Sequence, residues 1–325
     1  MLISLPLQTL YSDLVQQISS RAANAASVYT QRKDGAAFLY GRRTVGTARL
    51  DSYIGPAADP AARARAEDIR QEQRLSRQRR KIVSALKRAG VPAPSLPLGR
   101  ILDAMSDAGL FASGVLVGTA AYQCYSPIIG VALPSATLMT QDADFATAEL
   151  AIASDDGEAT MLDILQRADP SFRAVPGLNA KAPPASFRSG QGFRVDLLTP
   201  LFRRSDTDPM PLAGLAAGAV PLQYLNWLIA DPIHAVALAG PGIPVRVPTP
   251  ARFAVHKLIV AQRRRSDERL KRHKDLLQAK ALFDALGETD PEPLATALRS
   301  ARAKGREGWS GLIARSIEEL NIKLK

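Results

Sequence analysis

Cysteine is almost missing from this chain: Cys124 is the only one in 325 residues, which excludes an intramolecular disulfide and any multi-cysteine metal site and fits a reducing compartment. Cys124 itself reads as a small core residue. Histidine is scarce too, and His234, His256 and His273 have no ligand-like spacing to one another or to Cys124. Zinc chemistry and histidine-based triads therefore have little to build on, and each histidine reads as structural or solvated. No run approaches the roughly 18 apolar residues of a membrane span. The opening MLISLPLQTLYSDL has no basic residue before its short apolar run and no small-residue cleavage site, so a cytoplasmic protein without membrane contact is expected. Acidic residues are the minority, 31 against 42 Lys and Arg, leaving a net charge of +11 and a pI near 10.0. Such an excess favours polyanionic partners, nucleic acid or nucleotide phosphates, and says nothing of fold. The remainder is ordinary: 46% apolar and 22% charged residues describe a folded chain, long enough for two or three structural units.

Along the chain, residues 1–27 read as helical. Residues 28–55 carry short β-branched and aromatic runs broken at Asp34 and Gly35 and near Gly46, the pattern of a small antiparallel meander. An Arg-rich stretch of helix formers then runs to Gly90, with an apolar stripe (Ile82, Ala85, Leu86, Ala89) only near its end, so this helix is expected to project first and dock later. Its segment 63–81 is open to two readings, a solvated face or a polyanion-binding arm. The Pro-rich 91–99 is the best boundary. Beyond it, helices and strands alternate: a buried strand at 114–118, a helix opened by Thr119, a helix around 159–168, a turn SGQG before FRVDLLTP, a helix LQYLNWLI and a hairpin turning at Gly240, Pro241 and Gly242. From Thr249, an N-cap followed by Pro250, the chain is helical, with a packing stripe of Leu276, Ala279, Leu282, Phe283 and Leu286. The fold class is thus α/β (α+β), divided as an N-terminal helix, meander and basic arm over 1–95, an α/β core over 96–250 and a helical domain over 251–325.

Chemistry concentrates in LMTQDADFAT, 138–147. On a strand, the two-residue period puts Asp142 and Asp144 on one face and Ala143 and Phe145 on the other. An Asp-x-Asp pair is weak evidence alone; Asp206 and Asp208 form another in what reads as a loop. Three features join the first pair. GVLVGTAAY is a buried strand ending at Gly118 with Thr119 opening a helix, either a plain turn and cap or a place where an anion meets unpaired backbone N–H groups. Asp196 projects from the strand face opposite Phe193, Val195 and Leu197, as an exposed residue or a third ligand. The helical tail carries Lys257 amid apolar residues and a dense basic run containing Lys274. Adjacent carboxylates repel, and a divalent cation relieves them by bridging to substrate phosphates.

These pieces, in this order, resemble the nucleotidyltransferase superfamily related to DNA polymerase β, and within it the minimal nucleotidyltransferases of bacterial abortive-infection and toxin-antitoxin systems. The matching residues are Gly118 and Thr119, Asp142-Ala143-Asp144, Asp196, Lys257 and the segment Arg272-His273-Lys274-Asp275. The resemblance covers roughly residues 100–285. It implies a mixed-sheet core with Asp142, Asp144 and Asp196 binding Mg²⁺ or Mn²⁺, Asp196 activating an acceptor hydroxyl, and Gly118, Thr119, Lys257 and Lys274 holding a nucleoside triphosphate. The acceptor would be RNA, such as a tRNA, or protein. One departure stands out: 24 positions separate Gly118 from Asp142, about twice the usual gap, as an insertion near SPIIGVALP would produce. Two rival readings remain, a metal-dependent Asp-x-Asp glycosyltransferase and a non-catalytic nucleic-acid-binding module on the same fold.

Overall fold

The computed structural model describes residues 2–19, 26–45, 47–134, 138, 140–148, 159–177, 179, 182–201, 203 and 208–323. Gly46 and Asp206 lie outside the described residues.

Helix α1 (Leu5–Ser19) precedes a three-stranded antiparallel sheet, β1 (Ser27–Lys33), β2 (Ala36–Val45) and β3 (Ala48–Pro56), in the order β1-β2-β3. Asp34 and Gly35 both take positive φ, 52° and 78°, the backbone that a two-residue hairpin loop needs to match strand twist. Helix α2 (Pro60–Arg88) is capped by Asp59, whose carboxylate accepts from the N–H groups of Ala61 and Ala62, with Pro60 at the start of its first turn. Contrary to expectation, its first half does not project. Ala62 and Ala66, one turn apart, pack against Leu39 on the inner face of the meander. Small side chains make this contact, which is why no large apolar stripe betrays it. The second half docks on α1 through Val83 and Leu86.

The basic segment is divided by the same packing. Arg79 is only 1% exposed and pairs with Glu72 at 2.9 Å, while Arg74 and Arg70 both contact Glu67. Arg77, Arg80 and Lys81 are exposed. Part of the charge run is therefore structural and part is free to face solvent.

After Val91–Pro94 comes α3 (Leu96–Asp107), capped by Ser95. The central sheet follows: β4 (Val115–Val117), β5 (Asp142–Ala146), β8 (Arg194–Pro200), β10 (Ala217–Leu222) and β9 (Met210–Leu212) lie side by side in that order. β7 (Ser186–Arg188) pairs with the first half of β8, and β6 (Arg173–Ala174) with β7. The sheet is mixed: β5, β8 and β10 are parallel, β4 antiparallel to β5 and β9 to β10. Between β4 and β5 stand two short helices, α4 (Gly118–Tyr122) and α5 (Tyr125–Ile129), so the extra length after Gly118 includes a second helix. α6 (Met161–Ala168) carries a full capping box, Thr160 with Asp163. α7 (Leu225–Ile229) leads to the hairpin β11 (Ile233–Ala237) and β12 (Ile243–Val247).

The helical tail is α8 (Pro250–Arg263), α9 (Arg269–Thr289), α10 (Pro291–Arg302) and α11 (Gly311–Glu319). Thr249 caps α8 as expected, and the Leu276, Ala279, Leu282, Phe283, Leu286 stripe is buried. Phe253 of α8 packs on Tyr122 and Tyr125, with ring centroids 5.9 and 5.2 Å apart, and Tyr125 donates to the Pro248 carbonyl at 2.9 Å. This contact ties the tail to the α4–α5 segment, and one apolar cluster runs through sheet and tail together. Cys124 lies in it, its thiol pushed up to about 12 by burial, as a core residue would be. Among the described residues no helix is long and apolar enough to cross a membrane.

Candidate active site

The expected Asp-x-Asp strand is β5, and its neighbours assemble the site. Asp144 pairs in register with Asp196 of parallel β8, and Asp142 with Arg194. Strand alternation and this register put Asp142, Asp144 and Asp196 on one face, with Asp144 and Asp196 on Cα positions about 4.8 Å apart. Ala143 and Phe145 point into the core. On the other side of β5, Val117 pairs with Asp144, so β4 delivers Gly118 to the same place.

Gly118 is required there. Its φ is +65°, and an added Cβ would stand 2.3 Å from Oδ2 of Asp144. The carboxylate occupies the space that a side chain would take, so the glycine belongs to this site despite the 24 positions that separate it from Asp142. Thr119, next along, accepts a hydrogen bond from Nε2 of Gln278 on α9 at 3.3 Å.

Burial pushes the Asp144 carboxyl up to about 6, with the charge of Asp196 and then that of Asp142 adding, and Lys257 and Arg264 opposing. Asp142 is exposed. One oxygen of Asp196 accepts from Nε of Arg194 at 2.8 Å and from the Ser186 hydroxyl. Among the described residues no three His, Cys, Asp or Glu side chains converge into a closed metal-holding group. The three carboxylates share one sheet face, with Asp142 exposed and Asp144 and Asp196 partly buried. Their oxygens are hard donors, and a cation beside Asp144 would relieve the repulsion that raises it, so the residues present fit a divalent ion.

Cations face this surface from the tail. Lys257, 8% exposed, donates to Oδ1 of Asp275 at 2.5 Å and lies 5.2 Å from the Phe253 ring centroid. Nε of Arg264 donates to the other oxygen of Asp275 at 2.9 Å. Burial alone would raise Asp275, but Lys257 and Arg264 outweigh it and hold the carboxyl below the usual range. One carboxylate thus fixes two cations and leaves the trio net positive. Lys274 is partly buried; burial and then the Lys257 charge lower its pKa, while Asp275 and Asp142 oppose. His256, beside Lys257, is pushed down to about 3 by burial and by that lysine, and stays neutral. His234 and His273 are exposed.

Of the seven residues expected at the site, the structure sets Asp142, Asp144 and Asp196 on one sheet face with Gly118 against Asp144, ties Thr119 to α9 through Gln278, and holds Lys257 and Lys274 within electrostatic reach of Asp144 and Asp142, respectively. Sequence reasoning missed the supporting set, Arg194 and Ser186 on Asp196, Gln278 on Thr119, and the role of Asp275 and Arg264. A signal existed for two of them. Asp275 and Gln278 fall on the buried stripe of α9, where a polar side chain requires a partner.

A family model described as nucleotidyltransferase matches residues 97–303. A search of curated proteins and a search of solved structures each returned no match. The match spans both the sheet that carries the carboxylates and the helices that carry the cations, and it covers well over half of the sequence: the chain belongs to the nucleotidyltransferase family.

Proposed function

We propose that the protein transfers a nucleoside monophosphate from a nucleoside triphosphate to a hydroxyl acceptor. The observation that carries this reading is the opposition of three carboxylates on one sheet face to Lys257 and Lys274 on the tail, with Gly118 making room for Asp144. Asp142, Asp144 and Asp196 would hold a divalent cation, Mg²⁺ or Mn²⁺, which when bound neutralises phosphate charge and polarises the α-phosphate.

The remaining work falls to the chain itself. Lys257 and Lys274 bind the outer phosphates, whose roughly four negative charges need more than the cation can neutralise beside acidic neighbours. Gly118 and Thr119 hold the same end of the triphosphate. Asp196 accepts the proton of the attacking hydroxyl; the hydroxyl's oxygen bonds to the α-phosphorus, the bond from that phosphorus to the oxygen bridging to the β-phosphate breaks, and pyrophosphate leaves. Asp275 and Arg264 position Lys257 rather than touch substrate.

By the resemblance to minimal nucleotidyltransferases of abortive-infection and toxin-antitoxin systems, the acceptor is an RNA, such as a tRNA end, or a protein hydroxyl in the cytoplasm, and the biological setting a defence or toxin-antitoxin system. A glycosyltransferase has no use for Gly118 against Asp144 and has no support in the family match. A purely nucleic-acid-binding module gains nothing from three carboxylates aimed at a polyanion. Incubation of purified protein with each α-labelled triphosphate, Mg²⁺ and total cell extract tests the reading: label should appear on RNA or protein, and no transfer to any fraction would overturn it.

A further inference from the structure

The region before the matched family residues carries most of the charge of the molecule. Between residues 27 and 90 stand fifteen Lys and Arg and six Asp and Glu, a net +9 of the chain's +11. It also carries an aromatic surface that the nucleotidyltransferase core does not use. One face of the β1–β3 sheet packs on α2 through Leu39, Val28 and Ile54. Alternation turns Tyr29, Phe38, Tyr40 and Tyr53 to the opposite face, where Tyr53 is exposed and the other three are partly buried.

Those four rings form one patch across all three strands. Tyr29 and Tyr40 stack with centroids 5.6 Å apart, Tyr40 meets Tyr53 edge-on at 5.4 Å, and Tyr53 meets Phe38 at 6.2 Å. Arg42 lies 4.6 Å from the Tyr29 centroid and is clamped by Asp51 through two hydrogen bonds of 2.8 and 2.9 Å, with the Tyr29 hydroxyl donating to the same carboxylate at 3.2 Å. The rings are therefore held in place before any ligand arrives. Tyr53 is 57% exposed. Lys33, at the end of β1, and Arg49, at the start of β3, are exposed at opposite ends of the sheet with the rings between them.

Cross-strand aromatic pairs also stabilise a meander. Stability alone does not call for exposed cations, Lys33 and Arg49, at both ends of the same outer face as the rings. Flat π surfaces flanked by cations match a ligand that offers stackable bases on a phosphate backbone, and only an unpaired strand leaves its bases free to stack. We propose that the outer face of the β1–β3 sheet is a stacking platform for single-stranded nucleic acid, with Tyr53 taking a base, Tyr40 and Tyr29 backing it, and Lys33 and Arg49 taking phosphates.

The test uses the full chain without triphosphate, so its outcome is independent of the transfer reaction. Binding of a fluorescein-labelled 12-nucleotide oligouridylate, and of a duplex of equal length, is followed by anisotropy. The single strand should bind more tightly than the duplex. Tyr53→Leu, which keeps apolar bulk but loses the π face, should weaken the single strand by about 5-fold or more, and Tyr53→Trp should restore it. Lys33→Gln with Arg49→Gln should flatten the salt dependence by up to about two released counterions. Equal binding of duplex and single strand, or Tyr53→Leu binding like wild type, overturns the proposal. Thermal melting of each variant guards against a folding artefact: Tyr53→Trp that folds yet binds no better than Tyr53→Leu also counts against it.

Discussion

Replacing Asp144 with asparagine removes one charge and almost no volume, and its effect on stability can be worked out from the site. Burial, together with Asp196 and Asp142, raises this carboxyl from 3.8 to about 6. A tenfold change in proton affinity is worth about 1.4 kcal/mol, so ionising Asp144 in the metal-free folded protein costs about 3 kcal/mol more than in the unfolded chain. The sign follows from proton uptake. Between pH 4 and 6 the folded protein keeps a proton that the unfolded chain has already released, so this group's favourable contribution is complete below about pH 4 and is lost as pH rises through 6. Asp144→Asn has no such proton to lose. In the presence of a chelator, urea unfolding followed by the emission of Trp227 and Trp309 should find the variant more stable than wild type at pH 8, by up to about 3 kcal/mol, with the gap closing towards pH 4. Added Mg²⁺ should narrow the gap at pH 8 by stabilising wild type alone. A variant less stable than wild type at pH 8, or a gap that ignores pH, would refute the reasoning and make Asp144 a structural residue.

Three further variants separate the roles assigned above. Lys257→Met should weaken triphosphate binding by about 10-fold, as expected for one lost charge-assisted contact, and should also lower stability by about 1–3 kcal/mol because Asp275 keeps only Arg264; calorimetric titration and melting read the two effects. Asp196→Asn should abolish transfer while triphosphate binding, measured by the same titration, largely survives. Gly118→Ala should abolish transfer as well, since its Cβ would displace the Asp144 carboxylate, with a stability loss of about 1–2 kcal/mol from the left-handed backbone alone; a fully active Gly118→Ala would remove the glycine from the site.

Much of the site was legible because its logic is local. The two-residue period of 142–145 fixed which residues share a face, and the apolar run before Gly118 identified a buried strand that turns into a helix. What the sequence obscured was mostly long-range. The intervening α5 stretched the Gly118–Asp142 interval beyond the familiar gap, and only the antiparallel pairing of β4 with β5 brings the glycine back against Asp144. Lys257 looked like a free cation amid apolar neighbours, whereas an aspartate eighteen residues later, on the next helix, holds it. The docking of α2 was misread for a physical reason: its first contact with the meander is made by Ala62 and Ala66, too small to register as a stripe among arginines. Arg79 likewise belongs to packing, and nothing in QRLSRQRRK distinguishes it from the exposed Arg77 and Arg80.

The central claim is that the α-phosphate, and not the γ-phosphate, is the group transferred, and that the β5 carboxylates are needed for it. Parallel reactions with triphosphate labelled at the α or the γ position, run with wild type and with Asp144→Asn, decide both points at once. Wild type should leave α-label on the acceptor and release γ-label as pyrophosphate, and Asp144→Asn should do neither. Transfer of γ-label to the acceptor, or undiminished α-transfer by Asp144→Asn, would contradict the account.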